Sequence, residues 1–555
     1  MTDILLINPP FRINPPFRYN MIDPPRNLTI IAAWLERRGI DVRILDAAIL
    51  EMSFDDIEEE VRRIRPRIVG ISNRSTYNYP MVRRVAQISK RTDENVPVIV
   101  GGTYVTWAPD DALKRAPEVD YIIVGEGDYS GPELIETLLE GGDVSQVNGI
   151  AYRDEKGDVR RTLPARLLQD LSEVPFPANH LLPIDVYVER KERYILALTR
   201  GCLFKCEYCT SSFQRGAYRT YPLDKIMEEL RWAYDKGFRY FYFYDDIFSV
   251  DKKLAGALCD RIAASDMEFA WHCMTRLEYV DRELLEKMAA SGCDLIGYGV
   301  ESGDPETLKD VGRKNGSNPR DVFEMTRQAG IRPLAFAIFG LPESTFMTDI
   351  ATIRYLQDIK PSMVRDFTYK PYPGTPQFRN PLASDIHIFN DDYSRWSQHD
   401  EPIHRTSIMD EHEIIEARML CSYFFRTKGA RLQDGECYRR VKGAILIRTR
   451  DGGLLYNSEN PPERKTTDLY QNCLKISAFH YEVLLHCDGY NDKEHISGIV
   501  AKLFGLDIAD AARKVDTVID ACLKKGLLVK MPNLNPVESD AEIETYAEDK
   551  VLTIG

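Results

Sequence analysis

Arg200-Gly201-Cys202-Leu203-Phe204-Lys205-Cys206-Glu207-Tyr208-Cys209 is the stretch on which the fold turns. Its three cysteines stand at the spacing Cys-x3-Cys-x2-Cys. Thiolates so placed can hold three irons of a four-iron, four-sulfur cluster, leaving the fourth iron open for a substrate or cofactor. The run follows an apolar segment, Tyr194-Ile195-Leu196-Ala197-Leu198, that reads as a buried strand. Gly201 suits a tight turn off that strand. Zinc is the rival for the same thiols, but structural zinc usually takes four protein ligands, and no partner cysteine lies close by in the sequence.

Outward from the triplet, strand and helix alternate. A helix over 223–236 is ended by Gly237, and strands are expected at 240–244, 269–274, 295–300, 334–339 and 363–369. With the strand before the cysteines these make six strand–helix units, too few for an eight-fold barrel. Barrel chemistry sits on loops at the carboxyl ends of strands. There the chain carries Asp245-Asp246, Arg276, Glu301-Ser302-Gly303, the run Ile338-Phe339-Gly340-Leu341-Pro342-Glu343, and Pro371-Tyr372-Pro373-Gly374-Thr375-Pro376.

The triplet and this order of strand ends resemble the radical S-adenosylmethionine (SAM) enzymes. In that family the open iron chelates the amino and carboxyl groups of SAM, and one electron from the cluster breaks a carbon–sulfur bond to give a 5′-deoxyadenosyl radical. The resemblance implies a partial (β/α)6 TIM-type barrel over residues 190–380. It places the 4Fe-4S cluster on Cys202, Cys206 and Cys209. It also implies SAM contacts from Phe204, Tyr208, Asp245, Asp246, Arg276, Glu301, Ser302, Ile338 and Gly340. An aspartate there suits the ammonium of SAM, and Arg276 a carboxylate of SAM or substrate. A phenol facing the cavity could donate a proton or quench a substrate radical, and Tyr244, Tyr298, Tyr369 and Tyr372 are the candidates. An electron donor such as flavodoxin or ferredoxin is the implied protein partner.

Residues 1–145 alternate short apolar strands (4–7, 42–45, 68–71, 96–100, 121–124) with amphipathic helices (28–38, 54–64, 81–90), the pattern of an open parallel, Rossmann-like (flavodoxin-like) sheet. Ligands of such sheets bind at the carboxyl ends of the strands. Asn8-Pro9-Pro10, Gly101-Gly102 and Gly125-Glu126-Gly127 resemble the cobalamin-binding domain that precedes many radical SAM modules. That resemblance adds Ser72, Thr76, Thr103 and Tyr104 to the cobalamin contacts. Many cobalamin proteins ligate cobalt from below with a histidine, but no histidine occurs before His180, and Tyr104 stands where relatives often have one. Cobalamin bound here would have its lower face open or covered by something else. A sheet of this kind that no longer binds cobalamin is the alternative. A tandem repeat, Ile7-Asn8-Pro9-Pro10-Phe11-Arg12 then Ile13-Asn14-Pro15-Pro16-Phe17-Arg18, reads either as a duplicated loop over the ligand face or as a duplication without function.

A linker with a small hairpin (150–152 and 159–161) fills 146–189, and a mostly helical extension, from 391 to 427, lies within 381–438. His399, His404 and His412 there lack the i, i+4 spacing of a helical metal pair. Residues 439–531 read as strand, strand, helix, helix, helix, with Asp507 capping the last helix. The order is winged-helix-like. His486-Cys487-Asp488-Gly489 and Lys525-Gly526-Leu527-Leu528 resemble the small peptide-recognition domain of pyrroloquinoline quinone biosynthesis, where a leader peptide adds a strand to the hairpin edge. A winged helix that only packs on the barrel is the alternative. An acidic tail is assigned to 532–555, and its acid-rich part, from Val537 to Lys550, is expected to be disordered.

The 555 residues suffice for about three domains. A formal charge of −14 argues against a general nucleic-acid binder, and no apolar run is long enough to span a membrane. The absence of a basic start before the first strand argues against a signal peptide. Eleven cysteines without a paired framework point to a reducing cytoplasm. The combined expectation is an α/β radical SAM enzyme that uses cobalamin to methylate an unactivated carbon of a small-molecule or peptide substrate. The alternatives are a cobalamin-assisted cyclisation or rearrangement without methyl transfer, and a non-catalytic cobalamin- or peptide-binding protein. Methylthio transfer needs a second cluster on N-terminal cysteines, and no cysteine precedes Cys202.

Overall fold

The computed structural model describes residues 2–10, 22–210, 217–310, 312, 318–426, 430–440, 444–449, 452–457 and 474–538. The second copy of the tandem repeat and the tail beyond residue 538 lie outside them. The chain forms two compact units, Met1–Arg418 and Met419–Gly555.

The first unit begins with strands β1 (Ile4–Asn8), β2 (Val42–Asp46), β3 (Ile68–Asn73), β4 (Val98–Gly102) and β5 (Tyr121–Ile123). They pair in parallel in the order β2-β1-β3-β4-β5. Helices cover both faces, so the strands are almost wholly apolar: all five residues of β1 and all six of β3 are buried. The expected hairpin, β6 (Ile150–Arg153) and β7 (Val159–Arg161), completes the same sheet in antiparallel fashion. The helix Phe54–Ile64 forms where expected because Ser53 and Asp56 make a reciprocal capping box and acidic and basic residues sit at its proper ends. The strand order reverses at β1 and β3, and ligands of open α/β sheets bind in that crevice.

The second sheet of this unit holds β8 (Tyr194–Leu196), then a short antiparallel pair apart from it, β9 (Thr199–Arg200) and β10 (Arg219–Thr220), then β11 (Tyr240–Phe243), β12 (Ala270–Thr275), β13 (Cys293–Glu301), β14 (Arg332–Phe339) and β15 (Met363–Thr368). The order β8-β11-β12-β13-β14-β15 is sequential and parallel throughout, the open partial barrel that the six expected units require. Strand limits agree with the expected ones to within two residues.

The segment after β15 departs from expectation. Of the stretch 391–427 expected to be mostly helical, only Glu411–Arg426 is α-helical among the described residues; before it lie a 3-10 turn at Tyr393–Arg395 and the paired strands β16 (His387–Ile388) and β17 (His404–Arg405). Asp392 caps the turn through Ser394. Tyr393, Trp396 and Ile403 are drawn out of any helical register into the core of the first sheet, where each is at most 4% exposed. This strap ties the two sheets together.

The second unit contains β18 (Ala430–Arg440), β19 (Ala444–Thr449), β20 (Gly452–Asn457), β21 (Leu474–Ser477), β22 (Asp488–Asp492) and β23 (Leu528–Glu538), with helices Ala478–Leu485, Lys493–Phe504 and Ile508–Lys524. Two antiparallel sheets result, β19-β20-β21 and β22-β18-β23. The hairpin, the three helices and the Asp507 cap follow the sequence. The second sheet does not: β18 begins inside the segment assigned to the helical extension, and β23 runs seven residues into the assigned tail. Pro532 and Pro536 disguise β23, but an edge strand tolerates proline.

Candidate functional site

At the carboxyl end of the barrel sheet lies a cavity of about 390 Å³. Cys202, Cys206 and Cys209 line it. Their loop is held from beneath: the Leu198 and Thr199 amides and the Thr199 hydroxyl donate to the Asp245 carboxylate at 2.6–3.1 Å. Gly201 then turns the chain at φ +91°. Burial pushes the Cys202 thiol up from its ordinary range; a bound iron would override that by taking the thiolate. Among the described residues no three metal-ligating side chains converge on a point that one ion could fill. Three thiols spread around a cavity instead fit the separate irons of a cluster.

Of the other expected SAM contacts, Phe204, Tyr208, Asp246, Arg276, Glu301 and Ile338 line the cavity. Arg276 stacks its guanidinium 3.9 Å over the Phe204 ring and pairs with Glu278 at 2.7 Å. Glu301 is held at φ +63° after a register shift at the end of β13, which brings its side chain to the cavity.

Three expected contacts do not line the cavity. Asp245 is the 1%-exposed strut just described; alternation along the chain sends Asp246 to the cavity instead. Ser302 is bound to Thr352 and to the Asp304 amide. Gly340 donates its amide to Asp349 and accepts at its carbonyl from His404 Nε2, and a Cβ there would meet Ile414 at 2.9 Å. Of the tyrosine candidates, Tyr369 and Tyr372 line the cavity, and burial raises both phenols above their ordinary range, so both stay neutral. Tyr369 also donates to Gln377. Tyr298 is buried behind the sheet against Thr326, and Tyr244 is 47% exposed outside the cavity.

Sequence reasoning missed Lys370 and Gln398. Lys370 lies two residues beyond the end of β15 and falls under the strand-end rule already applied to its neighbours. Gln398 sits in the strap, and its carbonyl accepts from the Thr368 amide at 2.9 Å; nothing local in the sequence marks it.

The first sheet presents a second polar face at its switch point. Asn8, at the end of β1, donates to Asp46 at 2.7 Å, and Tyr187 donates to the other Asp46 oxygen. Asn27 donates to Ser72. Thr76 opens a 3-10 turn after β3 and is buried. The Oδ1 atoms of Asn8 and Asn73 and both amide atoms of Asn78 are buried without a hydrogen-bond partner. Such orphans cost about 1–3 kcal/mol each unless a ligand or water meets them. Gly102 has φ +127°, and a Cβ there would lie 1.9 Å from the Asn73 carbonyl oxygen, so only glycine lets β3 and β4 end so close together. Gly101 lies at the carboxyl end of strand β4, while Pro9, Pro10, Thr103, Gly125 and Gly127 occupy the strand-end loops of this sheet or the helix starts that follow them.

Two expected cobalamin contacts point elsewhere. Tyr104 is 1% exposed in the core, its hydroxyl donating to Asp111 and its ring packed edge-on against Tyr79 and Tyr393. Glu126 takes a two-pronged bond from Arg219, at 2.9 and 2.5 Å, and lies 3.4 Å from Arg200, which also pairs with Asp128 at 2.7 Å. These arginines flank the cysteine loop, so Glu126 braces one sheet against the other. The two faces adjoin within the unit: Gly374, in the loop after β15, lies so close to Trp107, which ends the short helix after β4, that a Cβ would sit 2.4 Å from the indole.

A family model described as the B12 binding domain matches residues 20–135, and one described as the radical SAM superfamily matches residues 196–356. An uncharacterized methyltransferase from Pyrococcus horikoshii is 30% identical over 389 residues, covering 69% of this chain and 84% of that protein. The anaerobic magnesium-protoporphyrin IX monomethyl ester cyclase of Synechocystis sp. is 26% identical over 401 residues, 71% of this chain and 79% of that one. Among solved structures, the radical S-adenosylmethionine methyltransferase TsrM from Kitasatospora setae, with cobalamin and a 4Fe-4S cluster bound, superposes with a TM-score of 0.62 at 19% identity, over 76% of this chain and 91% of that one.

Proposed function

The chain belongs to the cobalamin-binding radical SAM enzymes, and on that footing we propose that it methylates an unactivated carbon of its substrate. When bound, the cluster with SAM supplies a 5′-deoxyadenosyl radical, and cobalamin supplies the methyl group. Cys202, Cys206 and Cys209 hold the cluster on a loop braced by Asp245. Asp246 and Glu301 offer carboxylates to the ammonium and hydroxyls of SAM, and Ile338 gives an apolar wall. The orphaned amide atoms of Asn8, Asn73 and Asn78 offer polar contacts to the corrinoid. Phe336, Phe367, Tyr369 and Tyr372 wall the rest of the cavity and exclude water from it. The observation that carries the reading is the adjacency of the two faces inside one unit, locked by the Gly374–Trp107 contact and the Glu126 brace. The methyltransferase names of the Pyrococcus and Kitasatospora proteins support the outcome.

The finer parts of the proposal are a flavodoxin- or ferredoxin-type electron donor and a peptide substrate whose leader pairs with an open edge of the β19-β20-β21 sheet. The Synechocystis relative favours a second reading, cyclisation without methyl transfer. Anaerobic purification with cobalamin supplied, followed by the ultraviolet–visible spectrum and product mass, tests all of this. Corrinoid absorption, deoxyadenosine formation that needs all three cysteines, and a product heavier by one methylene unit are expected. Product with an unchanged carbon count selects cyclisation; no corrinoid and no deoxyadenosine overturn the proposal.

A further inference from the structure

Lys370 is a buried ammonium on the cavity wall that no carboxylate neutralises. The residue is 2% exposed, and its Nζ donates to two main-chain carbonyls of the strap, those of Glu401 and Arg395. No carboxylate lies within salt-bridge distance of it among the described residues, whereas the other cation of the cavity, Arg276, is paired with Glu278. An ammonium has three N–H donors, so one remains uncommitted. The wall beside it is uncharged and largely aromatic: Phe336, Phe367, Tyr369 and Tyr372, with Thr368 and Gln398 the polar exceptions. Lys370 follows β15, at the far edge of the sheet order from β8 and the cysteine loop. Desolvation pulls this ammonium down to about 7, outweighing the more distant pulls of Asp400 and Glu401.

We propose that Lys370 anchors a carboxylate of the substrate, which is therefore an aromatic or otherwise apolar acid. One uncommitted N–H matches one carboxylate oxygen; a phosphate would demand several donors. The inference rests on the proposed function, since it takes the cavity as the place where substrate lies beside SAM.

The test uses the cobalamin- and cluster-loaded full chain as wild type, Lys370→Gln, Lys370→Arg and Lys370→Met. Phenylpropionate and indole-propionate are titrated by calorimetry at millimolar concentration against their amides, and SAM affinity is measured separately. Lys370→Gln keeps a donor for the strap carbonyls and is neutral, so it decides the matter if Lys370→Met fails to fold. Wild type should prefer acid to amide by about tenfold to a hundredfold, the worth of a charge-assisted bond. The arginine variant should retain most of that preference, and the glutamine variant should lose it with SAM affinity unchanged. Absence of acid binding or of any preference in wild type, a preference kept in Lys370→Gln, or a loss of SAM affinity in that variant overturns the assignment. Wild-type deoxyadenosine formation and corrinoid absorption separate the two failures. If both are present without acid preference, only the Lys370 assignment falls; if both are missing, the proposed function falls.

Discussion

Replacing Glu126 by alanine separates a brace from a cofactor ligand. The Glu126 side chain is 12% exposed and that of Arg219 6%. Removing one partner of a buried pair costs about 3–5 kcal/mol, because the other charge stays behind. Arg219 keeps the carbonyls of Ala217 and Leu168, and Arg200 keeps Asp128. The low end, about 3 kcal/mol, therefore applies to Glu126→Ala, and about half of it to Glu126→Gln, which retains one acceptor. The assay is thermal unfolding of the corrinoid-loaded protein at a fixed scan rate, since a chain of this size unfolds irreversibly, alongside corrinoid content per chain after mild purification. The midpoint should fall by several degrees in Glu126→Ala and less in Glu126→Gln, with corrinoid content close to wild type. In the double variant with Arg219→Met the losses should be clearly less than additive. An unchanged midpoint with corrinoid lost would show that Glu126 contacts the cofactor and would refute the brace.

Asp245→Ala should strand the Leu198 and Thr199 amides and lower iron per chain, whereas Asp246→Asn should keep iron and weaken SAM affinity; both are read by iron analysis and calorimetry. Gly102→Ala has no room beside the Asn73 carbonyl and should abolish corrinoid retention, with soluble yield as the folding control. Burial lowers His399 and His404 to about 4 from an ordinary 6.5. The unfolded chain then takes up protons first, so their contribution is complete above 6.5 and is lost as pH falls from 6.5 to 4. His404→Gln should flatten the fall in unfolding midpoint over that window; an unaltered slope would sink the assignment.

The fold was legible because its signals are local. Buried parallel strands show as apolar runs in 4–7 or 68–71, and the capping box of Ser53 and Asp56 is written within four residues. The cysteine loop was legible for the same reason. Roles set by distant partners were not. Glu126 meets Arg219 across 93 residues, and Tyr393 meets Asp111 across 282. Asp245 and Asp246 are chemically identical, and only the direction of each side chain at the strand end separates strut from cavity wall. The strap was misread as helix because Tyr393, Trp396 and Ile403 are apolar for the sake of a core assembled far upstream.

That strap also sets a clock. The first sheet has all its strands once residue 161 is made, yet its core stays open until Ile403 follows. At synthesis rates of about 5–20 residues per second, the gap lasts roughly ten to fifty seconds. During it an apolar notch faces the cell, and Trp107 still lacks the loop that carries Gly374. A fragment stopped near residue 190 lacks Tyr393, Trp396 and Ile403 and should aggregate rather than fold.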